Sequence, residues 1–185
     1  MDELRMRLDR TKAALLVVDI RERMCVPMDP EKLARMNNRC RALIEGAKAM
    51  GLPIVVTEQY SKGLGPTIEP VRAALPDGTR TFEKNQFSCA VPEVIEALGD
   101  RKQILLCGME THVCVFQTAR DLLARGLVPY LCADALLSRN AEDKHWGLER
   151  ARDLGAVVTT AEGALFDLLG RAGTPEFKAV SAAVR

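Results

Sequence analysis

Short runs of apolar, β-branched residues alternate along this chain with longer stretches whose apolar positions recur at helical spacing. The runs at 13–18 (AALLVV), 53–57 (PIVVT), 103–107 (QILLC), 128–132 and 156–159 predict strands, with a weaker candidate at 80–83. Helices are predicted at 33–50, 92–98, 113–125, 141–154 and 161–169, and Gly51, Gly126 and Gly155 mark three of their ends. Residues 61–78, rich in Gly and Pro, are expected to be loop around one short helix near 68–75. The strand runs are too apolar to leave one face in water, as expected of parallel strands covered on both sides by helices. The alternation therefore predicts an α/β fold: a doubly wound, Rossmann-like, mostly parallel sheet of about six strands with helices on both faces. No repeat, linker or low-complexity tract divides it, so residues 1–185 are expected to form one domain.

Open α/β sheets bind ligands beyond the carboxyl ends of their strands. Three chemically capable residues fall at such ends: Asp19 after the first run, Lys84 after the third and Cys114 after the fourth. Cys114 lies in GMETHVCVFQTA, where a glycine closes the strand and the cysteine opens the next helix. At a helix start the free N–H groups and the macrodipole favour a thiolate and can hold an oxyanion. Taken singly, each residue has an ordinary explanation: a free cysteine is commonly a small core residue, a strand-end aspartate a turn former, a lysine a solvated charge. Together they offer a nucleophile, a base and a cation that lowers the thiol pKa. Tyr60, Phe82 and Phe87 flank these positions as candidate walls of a substrate pocket, with core packing the simpler explanation for at least one phenylalanine.

Charge and cysteine usage narrow the classes further. Twenty-six Lys and Arg nearly balance 25 Asp and Glu, so neither a nucleic acid nor a membrane is expected as partner. The segment MDELRMRLDR is charged and lacks the apolar core of a signal peptide, and no run approaches membrane-spanning length. A cytoplasmic protein is expected, with its six scattered cysteines as free thiols. His112 and His145 are too few and too far apart to suggest a metal site, and no cofactor is expected. Trp146, on a helix otherwise rich in charge, is a candidate subunit contact.

The strand ending in Asp19, the FEKNQFSC segment carrying Lys84, and GMETHVCVFQTA occur in an order that resembles the isochorismatase-like hydrolases, over residues 12–177. The segments TEQYSKGLG and TTAEGALFDLLG are most similar to the branch of isochorismatase domain-containing proteins. The resemblance implies Cys114 as nucleophile, Asp19 as its proton acceptor and Lys84 as electrostatic partner. It also implies a cis peptide between Met109 and Glu110 and an oxyanion site at the N–H groups of Glu110 and Cys114. The reaction it implies is hydrolysis of a small amide or ureido substrate through a thioester, in a homo-oligomer. Vinyl ether hydrolysis and a non-catalytic binding role are the alternatives. Two features depart from the family pattern. Asp19-Ile20-Arg21 stands where Asp-x-Gln is common, and the histidines of a nicotinamidase metal site are missing from 61–78.

Overall fold

The computed structural model describes residues 3–185. After a short helix α1 (Glu3–Met6), the chain runs β1 (Ala13–Val18), α2 (Glu22–Cys25), α3 (Pro30–Met50), β2 (Ile54–Gln59), α4 (Ser61–Leu64), α5 (Glu69–Arg72) and β3 (Arg80–Lys84). The second half runs α6 (Pro92–Leu98), β4 (Gln103–Met109), a π-helical turn (Thr111–Val115), α7 (Phe116–Leu123), β5 (Val128–Leu137), α8 (Ala141–Asp153), β6 (Val157–Thr159), α9 (Ala161–Leu169) and α10 (Pro175–Ala183). The strands form one six-stranded parallel sheet in the order β3-β2-β1-β4-β5-β6. The predicted doubly wound architecture is thus the observed one.

The unbroken apolar runs are explained by cover on both faces. Leu15 and Val17 of β1 face a core shared with α3, α9 and α10, whereas Ala14, Leu16 and Val18 face a second core with α6 and α7. Local signals set the helix ends. Asp29 accepts from Lys32 N (3.0 Å) to open α3, with Pro30 in its first turn, and Gly51 closes it in the left-handed region at φ 68°.

The sheet departs from its sequence pattern chiefly at the carboxyl ends of strands. β2 continues two residues beyond Thr57 to Gln59, β4 runs on to Met109, and β5 extends from 132 to Leu137. These added segments contain polar or small residues and a register shift between Leu106 and Gly108, which is why apolar periodicity underestimates them. The helix predicted over 113–125 begins instead as a π-turn, and α10 lay outside the predicted set.

Strand order reverses between β1 and β4, which opens a crevice at their carboxyl ends. Gly108 brings these two ends close together. Its φ is 118°, and a Cβ built there would lie 2.0 Å from the Val18 carbonyl oxygen, so no other residue fits.

Candidate active site

Asp19 ends β1 in the left-handed region (φ 47°), where Asp is tolerated better than most residues, and its carbonyl accepts from Arg21 N at 3.0 Å. This tight turn points the chain out of the sheet while leaving the carboxylate fully buried. Lys84, the last residue of β3, pairs in register with Gln59 of β2 and extends over that strand's end towards β1. Its Nζ lies 2.7 Å from Asp19 Oδ2. It also donates to Gln59 Oε1 (2.7 Å) and to the carbonyls of Gln86 and Phe87 (3.0 Å each). Asp19 Oδ1 accepts from Thr57 Oγ1 at 3.0 Å. Gln59 is itself held, donating through Nε2 to the Asn85 carbonyl at 2.9 Å.

Cys114 is the fourth residue of the π-turn and is nearly sealed, at 4% exposure. Its thiol feels both members of the ion pair and shares a hydrogen bond with Asp19. Burial and the Asp19 carboxylate hold the thiol well above its ordinary pKa, while Lys84 pulls the other way. This differs from the thiolate expected of a helix start: desolvation in this sealed site outweighs the backbone dipoles. The Cys114 thiol thus lies beside a carboxylate able to take its proton. Burial also opposes the Lys84 ammonium, but Cys89, Asp19 and Cys114 together overcome it and raise its pKa.

The turn beneath Cys114 is fastened at several points. The Met109–Glu110 peptide is cis, at the position that the family resemblance implied. The Glu110 carbonyl accepts from Val113 N (3.1 Å) and Val115 N (3.2 Å), passing over the N–H of Cys114. The Glu110 carboxylate turns away to Arg139, accepting from its N (2.9 Å) and Nε (3.2 Å). Ser138 Oγ accepts from Thr111 N at 3.1 Å and contacts His112 Nδ1 at the same distance. Thr118 Oγ1 donates to the Cys114 carbonyl (2.6 Å) and accepts from Cys89 N (2.8 Å). Gly147 of α8 packs directly on this turn, since a Cβ there would lie 2.8 Å from His112 Cα.

Asp19, Lys84 and Cys114 are thus brought together. The aromatic candidates are spread more widely. Tyr60 (φ 43°) is exposed at the end of β2, with its ring against Gly63. Phe87 contributes its carbonyl to Lys84 while its ring is exposed, and Phe82 packs against the α6-side core with Arg80 5.0 Å from its ring centre. Trp146 is exposed on α8. His112 is engaged by Ser138 and lies 3.9 Å from Asp143, while His145 meets Trp146 edge-on. Arg21, at the departure from Asp-x-Gln, is fully buried; it pairs with Glu58 Oε2 (2.6 Å) and donates to the Gly65 carbonyl.

Thr57, Gln59, Cys89, Thr118 and Ser138 were missed from sequence. Thr57 and Gln59 carried a usable signal, as polar residues two apart on one strand face, directly after an apolar run. Cys89 is fully buried, with Sγ 3.2 Å from Thr57 Oγ1, and its thiol is pushed up to about 12, first by burial and then by Asp19.

The sequence model of the isochorismatase domain matches residues 13–163. The chain is 41% identical to the secreted isochorismatase effector Isc1 of Phytophthora sojae, over 77% of this chain and 71% of that protein. It is also 41% identical to isochorismatase domain-containing protein 2 of Xenopus laevis, over 75% and 67% respectively. Among solved structures, the MAR1 ribonuclease of Caenorhabditis elegans superposes with a TM-score of 0.92 at 35% identity, covering 96% of this chain and 92% of that one. This chain belongs to the isochorismatase family.

Proposed function

We propose that the protein is a cysteine hydrolase that cleaves the C–N bond of a small amide or ureide through a thioester, in the cytoplasm. The observation that carries this is the 2.7 Å pair of Asp19 and Lys84, both buried, set beside the Cys114 thiol. Asp19 accepts the thiol proton as Sγ attacks the carbonyl carbon, and Lys84 keeps that carboxylate ionised and oriented. The developing oxyanion is met by the N–H groups of Glu110 and Cys114; the latter is passed over by the Glu110 carbonyl. Collapse breaks the C–N bond, and the leaving amine takes the proton from Asp19. Asp19 then draws a proton from water, which attacks the thioester and releases the acid, and Asp19 returns that proton to the expelled Cys114 sulfur.

The ribonuclease activity named for the Caenorhabditis elegans protein is not proposed for this chain. This chain's Lys and Arg nearly balance its Asp and Glu, so it lacks the overall basic excess that favours a polyanion. All six cysteines are free, as a reducing compartment would leave them. Among the described residues, no helix is long and apolar enough to cross a membrane.

The test is a panel of small primary amides and ureides, assayed for ammonia release with wild type and Cys114→Ala, and for acyl adducts by mass spectrometry after acid quench. Turnover confined to the wild type, with an adduct on the Cys114 peptide, is expected. Equal turnover by Cys114→Ala, or turnover of isochorismate but of no amide, overturns the thioester route.

A further inference from the structure

A cavity of about 440 Å³ lies beyond the carboxyl end of β5, between the amino-terminal turns of α3 and α8. Lys32, Arg35 and Lys144 line it, and among the described residues none of the three forms an ion pair. The one acid in its wall, Asp134, is already committed. Its Oδ1 accepts from Ala161 N at 2.7 Å, and its Oδ2 lies 3.4 Å from Arg39 Nε. Met36 and Leu137, both buried, supply an apolar wall. The cavity thus sets three uncompensated cations around a partly apolar space. Lys32 and Arg35 are exposed and Lys144 is half-buried, so the like charges gathered there attract an anion, which Arg and Lys hold through charge-assisted hydrogen bonds.

We propose that this cavity binds a small organic anion, a carboxylate or phosphate monoester with an apolar body, at a site separate from Cys114. Burial first, then the charges of Arg35 and Lys32, lower the Lys144 pKa, with Asp134 only partly offsetting them, and an anion bound among the three would favour the ammonium. Ser138 lines the cavity and is also the residue that fastens the Thr111–His112 end of the catalytic turn. The anion would therefore sit one side chain away from the segment that carries the nucleophile. The inference stands on the cavity alone and does not depend on the reaction proposed above.

Phenyl phosphate and benzoate serve as probes, titrated calorimetrically at constant ionic strength, with benzyl alcohol as the neutral counterpart. Wild type is compared with Lys144→Gln, Arg35→Gln, the remote surface change Lys178→Gln, and Cys114→Ala. Saturable binding of an anionic probe is expected, weakened about tenfold in Lys144→Gln and in Arg35→Gln, as for loss of one charge-assisted contact. Binding should be unchanged in Lys178→Gln and Cys114→Ala, and absent for benzyl alcohol. Lys144, Arg35 and Lys178 are exposed or half-buried and Cys114→Ala only removes a buried sulfur, so the variants should fold, which their melting curves will establish. The proposal is overturned by the absence of saturable anion binding, by equal affinity in Lys144→Gln and wild type, or by loss of binding in Cys114→Ala alone.

Discussion

Replacing Lys84 with Met removes one charge from a pair whose side chains are 1% and 0% exposed. The carboxylate of Asp19 is then left in the core with Thr57 Oγ1 and the Cys114 thiol as its remaining hydrogen-bond partners. Gln59 Oε1 and the carbonyls of Gln86 and Phe87 lose a donor at the same time. Breaking a buried pair by removing one partner costs about 3–5 kcal/mol. The additional orphaned acceptors place this case towards the upper end. For a chain of this length that loss corresponds to a fall in Tm of roughly 8–13 °C. Urea unfolding of Lys84→Met and of the double variant Lys84→Met, Asp19→Asn measures it. The double variant should regain about 2 kcal/mol or more, because the stranded charge is gone. The pH dependence has a definite sign. The Lys84 pKa is raised on folding, so its stabilisation is full below the unfolded lysine value of ~10.4 and is lost as pH climbs through the folded value. The gap between wild type and Lys84→Met should therefore be flat from neutrality to about pH 10 and close above it. A single-variant loss under about 1 kcal/mol, or a double variant no more stable than the single, would refute the account of a dependent buried pair.

Three further outcomes follow from the same geometry. Iodoacetamide labelling of Cys114, read by mass spectrometry across pH, should lack a plateau below the free-thiol value of ~8.5, and Asp19→Asn should move the profile down while Lys84→Met moves it up; a wild-type plateau near pH 6 would contradict the raised thiol pKa. Gly147→Ala should cost about 1–3 kcal/mol in urea unfolding and alter Cys114 labelling, since the new methyl meets the backbone of His112 and Thr111, which cannot rotate aside; unchanged stability and labelling would show that α8 yields freely. Arg21→Met should open the 61–67 segment to limited proteolysis at Lys62, because Arg21 joins Glu58 to Gly65 while Glu58 holds Thr67; a digestion rate equal to wild type would remove Arg21 from that role.

The sheet could be read from sequence because its signal is local and redundant. Runs such as AALLVV are buried on both faces, and five apolar runs with a weaker sixth, separated by helices, admit few topologies. Asp19, Lys84 and Cys114 could be picked out because each stands at a strand end, where a parallel sheet places its ligands. The supporting residues were harder to see. Thr57 and Thr118 matter through distances of 3.0 and 2.6 Å that no spacing rule encodes. The π-turn looks like the first turn of an ordinary helix, because one widened turn hardly disturbs apolar periodicity. The departure at Arg21 is an internal brace between Glu58 and the Gly65 carbonyl. A sequence shows that an arginine is present but not that a glutamate across the sheet end neutralises it.

The near-complete enclosure of Asp19, Lys84 and Cys114, at 0%, 6% and 4% exposure, has a kinetic consequence. A group that solvent hardly touches reacts only during the fraction of time in which its surroundings part. Any rate observed at Cys114 is then the product of that open fraction and the chemical rate within it. Substitutions that tighten the closed packing would make the protein more resistant to heat and slower at its task, and a bulkier electrophile would lose rate out of proportion to its chemistry. At this position durability and speed oppose each other, and the polar ties around the π-turn set the balance between them.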